Sequence, residues 1–149
     1  MKDKLILLIE DNPTDERLTL RALRKNNIMN EVVVACDGAE AVDYLFGQGS
    51  HEGRDVRDVP ALIVLDINIP KIGGLEVLQR IRADERTRLI PVVVLTSLED
   101  PEVMRQAYAH GANSYVRKPV DAIEFTDTIL NLGMYWLLLN EPPLKPIAV

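Results

Sequence analysis

Apolar residues in this chain gather into short unbroken runs, and between the runs the spacing turns helical. Residues 5–9, Val32–Ala35, Leu62–Leu65 and residues 92–95 are continuous apolar stretches, the pattern of strands buried on both faces of a parallel sheet. Residues 114–118 form a shorter fifth strand. Asn12-Pro13 opens a first helix, with Asn12 as N-cap and Pro13 at the first position, and Asp15 and Glu16 suit its positive end. That helix runs to about Asn26, where Asn26-Asn27 is the stop. Gly38–Phe46 is the second helix. The third, from Leu75 to about Asp84, sets Val77, Leu78 and Ile81 on one face. Pro91 stands at the start of the fourth strand, where a missing N–H does least harm. Residues 101–110 are the fourth helix, closed by Gly111. A last helix runs from about 121 to about 140 and is ended by Pro142-Pro143. Five strand–helix units predict an α/β fold, (βα)5, with a doubly wound, five-stranded parallel sheet and right-handed crossovers.

Two segments depart from this regularity. Residues 47–60 form a long loop with Gly47, Gly49, Gly53 and Pro60, read mainly as tolerated surface. The second half of the last helix, residues 129–139, is apolar nearly all round. A terminal helix on a sheet buries one face in its own domain, so the other face calls for cover. The tail, residues 141–149, is one candidate. A symmetric homodimer is the simpler one, with Leu132, Tyr135, Trp136 and Leu139 at the interface.

Bulk properties narrow the classes. The chain has 149 residues, room for one domain, with the tail outside it: a domain over 1–140 and a tail over 141–149. A net charge of −6 with no long basic run argues against a nucleic-acid footprint. No apolar stretch approaches the roughly 20 residues of a membrane span, and residues 5–9 are too short for a secretory signal. The expected location is the cytoplasm. The single cysteine, Cys36, excludes an intramolecular disulfide and reads as a partly buried strand-end side chain.

The chemistry lies where the strands end. The first run leads into Glu10-Asp11, the third into Asp66, the fourth into Thr96, and the fifth into Lys118. In a parallel sheet these ends open on one edge, where ligands bind. If the first and third strands are neighbours, Glu10, Asp11 and Asp66 come together; two carboxylates about 5 Å apart repel by roughly 3 kcal/mol at an effective dielectric near 20, so the three must then take up a proton or a cation. Oxygen donors and few protein ligands favour Mg²⁺. The backbone carbonyl of Asn68, two residues after Asp66, is a further candidate ligand. Asp66 follows the most interior strand and is the candidate nucleophile, since carboxylates form aspartyl phosphates. Lys118 supplies positive charge and Thr96 a hydroxyl for a phosphoryl group. His51 and His110 lack ligand-like partners and read as surface residues.

These motifs, taken in order, resemble the receiver domains of two-component response regulators: Ile9-Glu10-Asp11-Asn12, Leu65-Asp66-Ile67-Asn68-Ile69-Pro70, Gly73-Gly74, Leu95-Thr96-Ser97 and Tyr115-Val116-Arg117-Lys118-Pro119. The resemblance covers roughly residues 4–140. It implies a flavodoxin-like sheet of order 2-1-3-4-5 and a phosphoryl group passed from a sensor histidine kinase to Asp66. It implies Mg²⁺ on Glu10, Asp11, Asp66 and the Asn68 carbonyl, with Lys118 on the phosphate and a cis bond to Pro119. Thr96 and Tyr115 would be the switch residues, and the readout would be altered protein contacts. The long 47–60 loop and the end of the last helix resemble stand-alone regulators of bacterial phytochrome-type kinases, whose extended helix serves a homodimer. Ser97 stands where Ala or Gly is usual, which bears on the lifetime of the phosphorylated state.

Three rivals are weaker. A haloacid-dehalogenase-type phosphatase needs a titratable acid two residues after its nucleophile, and Asn68 is an amide. A receiver-like interaction module without phosphorylation does not use the full residue set. A DNA-binding output unit does not fit the thirty residues after Pro119.

Overall fold

The computed structural model describes residues 5–25, 28 and 30–143. The elements alternate as β1 (Ile6–Ile9), α1 (Pro13–Lys25), β2 (Val32–Ala35), α2 (Gly38–Phe46), β3 (Leu62–Leu65), α3 (Gly74–Ala83), β4 (Val92–Thr96), α4 (Pro101–Ala109), β5 (Ser114–Arg117) and α5 (Ala122–Gly133). All strand pairs are parallel, in the order β2-β1-β3-β4-β5. Topology and order are those expected.

Alternation along the strands divides the core in two. Leu7, Ile9, Ile63, Leu65 and Val92 point to one face, where Val42 and Leu45 of α2 and Val77, Leu78 and Ile81 of α3 cover them. Ile6, Leu8, Leu62, Val64, Val93 and Leu95 point to the other, under Ala22 and Leu23 of α1 and Phe125 and Ile129 of α5. Each central strand is therefore apolar on both sides, which is why it reads as an unbroken run.

Local chemistry sets the helix starts. Asn12 Oδ1 accepts from the backbone N–H groups of Thr14 (2.9 Å) and Asp15 (3.2 Å), the expected N-cap of α1. Asp37, Asp100 and Asp121 cap α2, α4 and α5 in the same manner. The proposed stop of α1 at Asn26-Asn27 lies outside the described residues, as does the tail from residue 144.

Three expectations need correction. Cys36 is exposed, because β2 is an edge strand and the residue lies just past its end. The last helix is not uniform: after Gly133 α5 continues as a π-helical segment, Met134–Leu139, which forms its end and in which the Asn140 N–H reaches back to the Tyr135 carbonyl. Among the described residues no peptide bond is cis, so the Lys118–Pro119 bond is trans. The 47–60 loop is surface, as expected, and it is anchored to the helix before it. It carries a 3₁₀ turn at Gly49–His51, and Arg54 folds back on α2, donating to the carbonyls of Tyr44 (2.6 Å) and Leu45 (3.3 Å) with its guanidinium 4.1 Å from the Tyr44 ring centre. Carbonyls at a helix C-terminus have no partner within the helix, and a cation suits that end.

Candidate functional site

The register of the sheet builds the site. Ile9 pairs with Leu65, so Glu10 and Asp66 leave adjacent strands side by side. Thr96 pairs with Arg117, and the Lys118 N–H donates to the Thr96 carbonyl (2.8 Å), which brings the hydroxyl and the ammonium to the same edge. The turn after Asp66 is held by close packing. A Cβ on Gly74 would lie 2.5 Å from the Ile67 Cα and 2.6 Å from the Asp66 carbonyl oxygen, so the start of α3 can abut the Asp66 turn only as glycine.

Oxygen atoms of Glu10, Asp11 and Asp66 all lie within 4.8 Å of one another, the one such group among the described residues. Glu10 and Asp66 are buried and Asp11 is exposed, so the cluster has a closed floor and an open side. Lys118, itself buried, places its Nζ 2.6 Å from Glu10 Oε1, 2.8 Å from Asp66 Oδ2 and 2.9 Å from Asp15 Oδ2. The other oxygens are fixed by backbone. Asn12 N–H donates to Glu10 Oε2 (3.2 Å) and Asn68 N–H to Asp66 Oδ1 (3.1 Å). Both acids are thereby oriented before any ligand arrives.

Burial pushes the Glu10 carboxyl up to about 7; Lys118 opposes the shift and Asp66 adds to it. For Lys118, burial works against the ammonium, but its hydrogen bonds to Asp66, Glu10 and Asp15 outweigh that and raise it above the ordinary lysine value. The site therefore keeps its cation across the physiological range, while Glu10 titrates within it.

Thr96 is fully buried at the end of β4, its Oγ1 accepting from the Leu98 N–H (3.4 Å). Tyr115 is half-buried on β5. Its hydroxyl donates to the Leu98 carbonyl (3.0 Å), and its N–H donates to the Tyr108 hydroxyl (3.2 Å). Thr96 and Tyr115 thus bond to the same residue, Leu98, one at its N–H and the other at its carbonyl. His51 stacks edge-on against Tyr44, and His110 lies by Gln79; neither enters the site. Asp15 was read only as a helix-end charge, and its place beside Lys118 carries no local signal, since the contact joins residues 103 apart in sequence.

The end of α5 is divided. Leu132 and Trp136 pack against the core from half-buried positions, and Leu137 is fully buried there. Met134, Tyr135, Leu138 and Leu139 are exposed, Leu138 and Leu139 to 68% and 70%. Of the four residues expected at an interface, Tyr135 and Leu139 are free to serve one, and Leu132 and Trp136 already serve the domain in large part.

Fold and acid cluster together define a receiver. The response regulator receiver domain model matches residues 6–130, and the chain belongs to that family, the signalling phosphoacceptors of two-component systems. It is similar to the probable methanogenesis regulatory protein FilR2 of Methanothrix harundinacea, with 38% identity covering 93% of this chain and 87% of that protein. It is 34% identical to the response regulator Rcp1 of Synechocystis over 90% of this chain and 89% of that one. Among solved structures it resembles the bacteriophytochrome response regulator AtBRR (48% identity, 93% of this chain and 98% of that chain, TM-score 0.71). It also resembles the phosphorylated cyanobacterial phytochrome response regulator RcpA (34%, 94% and 98%, TM-score 0.88). A structure of Rcp1 that aligns equally well holds Mn²⁺ (33%, 95% and 99%, TM-score 0.87), and the acid cluster here suits a divalent cation of that kind. Among the described residues, no helix is long and apolar enough to cross a membrane.

Proposed function

We propose that this chain is a stand-alone response regulator of the cytoplasm, its receiver domain spanning residues 1–140, that takes a phosphoryl group onto Asp66 from a phytochrome-type histidine kinase. One observation carries the assignment: of the two buried acids that share the cation-suited cluster and the Lys118 ammonium, Glu10 and Asp66, Asp66 is the one that follows β3, the central strand between those that deliver Glu10 and Thr96. Glu10, Asp11, Asp66 and the Asn68 backbone carbonyl are the residues to hold Mg²⁺. When bound, the ion neutralises charge on the phosphoryl oxygens. Asp66 Oδ attacks phosphorus, the P–N bond to the donor imidazole breaks as the P–O bond forms, and the imidazole, protonated by solvent on its other ring nitrogen, leaves in its neutral form. Lys118 follows the phosphoryl group as counter-charge, and Thr96 donates its hydroxyl to a phosphoryl oxygen. Reaching for the phosphate withdraws the Thr96 hydroxyl from the Leu98 N–H. Tyr115 hangs from the Leu98 carbonyl, so the surface around α4 and β5 responds. Loss of the group is by water at the same site, with no other substrate.

The exposed apolar residues at the end of α5 support a homodimer, built on Tyr135 and Leu139 with Met134 and Leu138 beside them. Incubation with Mg²⁺ and acetyl phosphate tests the acceptor reading. The parent gains one phosphoryl group by intact mass and Asp66→Asn gains none; equal labelling of the two would reject the assignment.

A further inference from the structure

We propose that Asp15 is a positioning residue for phosphoryl acceptance, holding the Lys118 ammonium in place while its other two partners are withdrawn. This rests on the reading of Asp66 as phosphoacceptor. An ammonium has three N–H donors. Here the three go to Glu10 Oε1, Asp66 Oδ2 and Asp15 Oδ2, at 2.6, 2.8 and 2.9 Å. The partners are not equivalent. Glu10 and Asp66 belong to the carboxylate cluster that suits a divalent cation, and Asp15 does not. A cation on that cluster engages oxygens of Glu10 and Asp66. A phosphoryl group on Asp66 redirects one N–H to a phosphoryl oxygen. Only the bond to Asp15 is untouched by both events.

Asp15 is itself well fixed. It sits in the first turn of α1, its N–H donates to Asn12 Oδ1 (3.2 Å), and its carbonyl accepts from the Thr19 hydroxyl (2.8 Å). Its side chain is mostly buried. Lysine is a point charge on a flexible four-carbon stem, so without such an anchor its ammonium would be spread over many positions. Misplacing a reacting group slightly is enough to slow a reaction severalfold.

The test uses the full chain in the parent and in Lys118→Ala backgrounds, with acetyl phosphate and saturating Mg²⁺. Asp15→Ala is expected to slow phosphoryl acceptance about 10-fold, Asp15→Glu to recover part of that, and Asp15→Ala to have no further effect once Lys118 is alanine. A readout independent of phosphorylation is the ¹⁵Nζ signal of Lys118 in metal-free protein, expected as a slowly exchanging resonance in the parent and broadened in Asp15→Ala. Parent-like acceptance and a parent-like Nζ signal in Asp15→Ala would overturn the proposal. So would an equal loss in the Lys118→Ala background, which would mark a purely structural role in α1. Labelling of Asp66→Asn at the parent rate would instead strike the phosphoacceptor reading, and the Nζ signal would still decide the role of Asp15.

Discussion

The edge of the sheet at Asp66 and the far end of α5 both concentrate groups that a folded chain ordinarily avoids, and they are relieved differently. At the edge, buried carboxylates crowd together, yet Lys118 bonds to three acids and backbone N–H groups hold the remaining oxygens of Glu10 and Asp66. At the end of α5, Leu138 and Leu139 lie open beside Met134 and Tyr135. The first region is balanced within one protomer and exchanges partners when a ligand arrives. The second is left uncovered by the described residues and gains from burial against a further surface. Charge is answered internally because a single long side chain can reach three acids. Apolar surface at a helix end has no comparable remedy, since the hydrophobic effect scales with area and needs another surface.

Removing the internal counter-charge is the strongest way to break the contrast. Lys118→Ala leaves Glu10 and Asp66 buried without their cation and is expected to lower stability by about 3 kcal/mol in the absence of metal. Mg²⁺ should restore much of this, so chemical denaturation with and without Mg²⁺ will show a larger metal-induced gain in the variant than in the parent. Phosphorylation should remain possible in the variant while any phosphorylation-dependent change in contacts is lost.

Next in size is the pair Leu138→Glu with Leu139→Glu. Both side chains are exposed, so the protomer should keep its melting temperature, while self-association weakens by roughly 100-fold, about 3 kcal/mol. Sedimentation at ~100 μM reads this directly: a parent that is already monomeric would remove the dimer from the account.

Acidity should separate the two regions further. The Glu10 carboxyl is raised to about 7 from an ordinary value of 4.5. Between those values the folded chain holds the proton more firmly than the unfolded chain, so this group's contribution to stability declines as pH rises through that window. Metal needs the ionised form. Mg²⁺ affinity should therefore climb by up to about tenfold per pH unit below about 7 and level off above it, and Glu10→Gln should abolish that slope in a calorimetric titration. Dimerisation through the apolar end of α5 should show no such dependence.

Arg54→Ala is the mildest change. Losing its bonds to the Tyr44 and Leu45 carbonyls should reduce stability by about 1 kcal/mol and leave phosphorylation unaltered, since the 47–60 loop leads into the start of β3, at the edge of the sheet opposite Asp66.

Much of this was visible in the sequence for a physical reason. Central strands of a parallel sheet are buried on both faces, so β1, β3 and β4 appear as plain apolar runs, and the residues that follow them must share an edge. Glu10, Asp66, Thr96 and Lys118 were therefore legible together. Three features were not. The run before Cys36 matches the others, so the residue reads as partly buried; its exposure follows from the place of β2 at the edge of the sheet, which apolar spacing does not carry. The π-helical segment after Gly133 is silent because every residue from Met134 to Leu139 is apolar, so an extra residue per turn shifts no polar position. Asp15 had a sufficient local explanation at the start of α1, and its contact with Lys118 exists only in three dimensions.

Borohydride trapping shows which side chain carries the phosphoryl group. Reduction of an acyl phosphate converts the aspartate to homoserine, which peptide mass spectrometry locates. After treatment with Mg²⁺ and acetyl phosphate, homoserine is expected at position 66 and at no other acid. Homoserine at position 10, 11 or 15, or none anywhere in a chain that has gained phosphate, would contradict the assignment to Asp66.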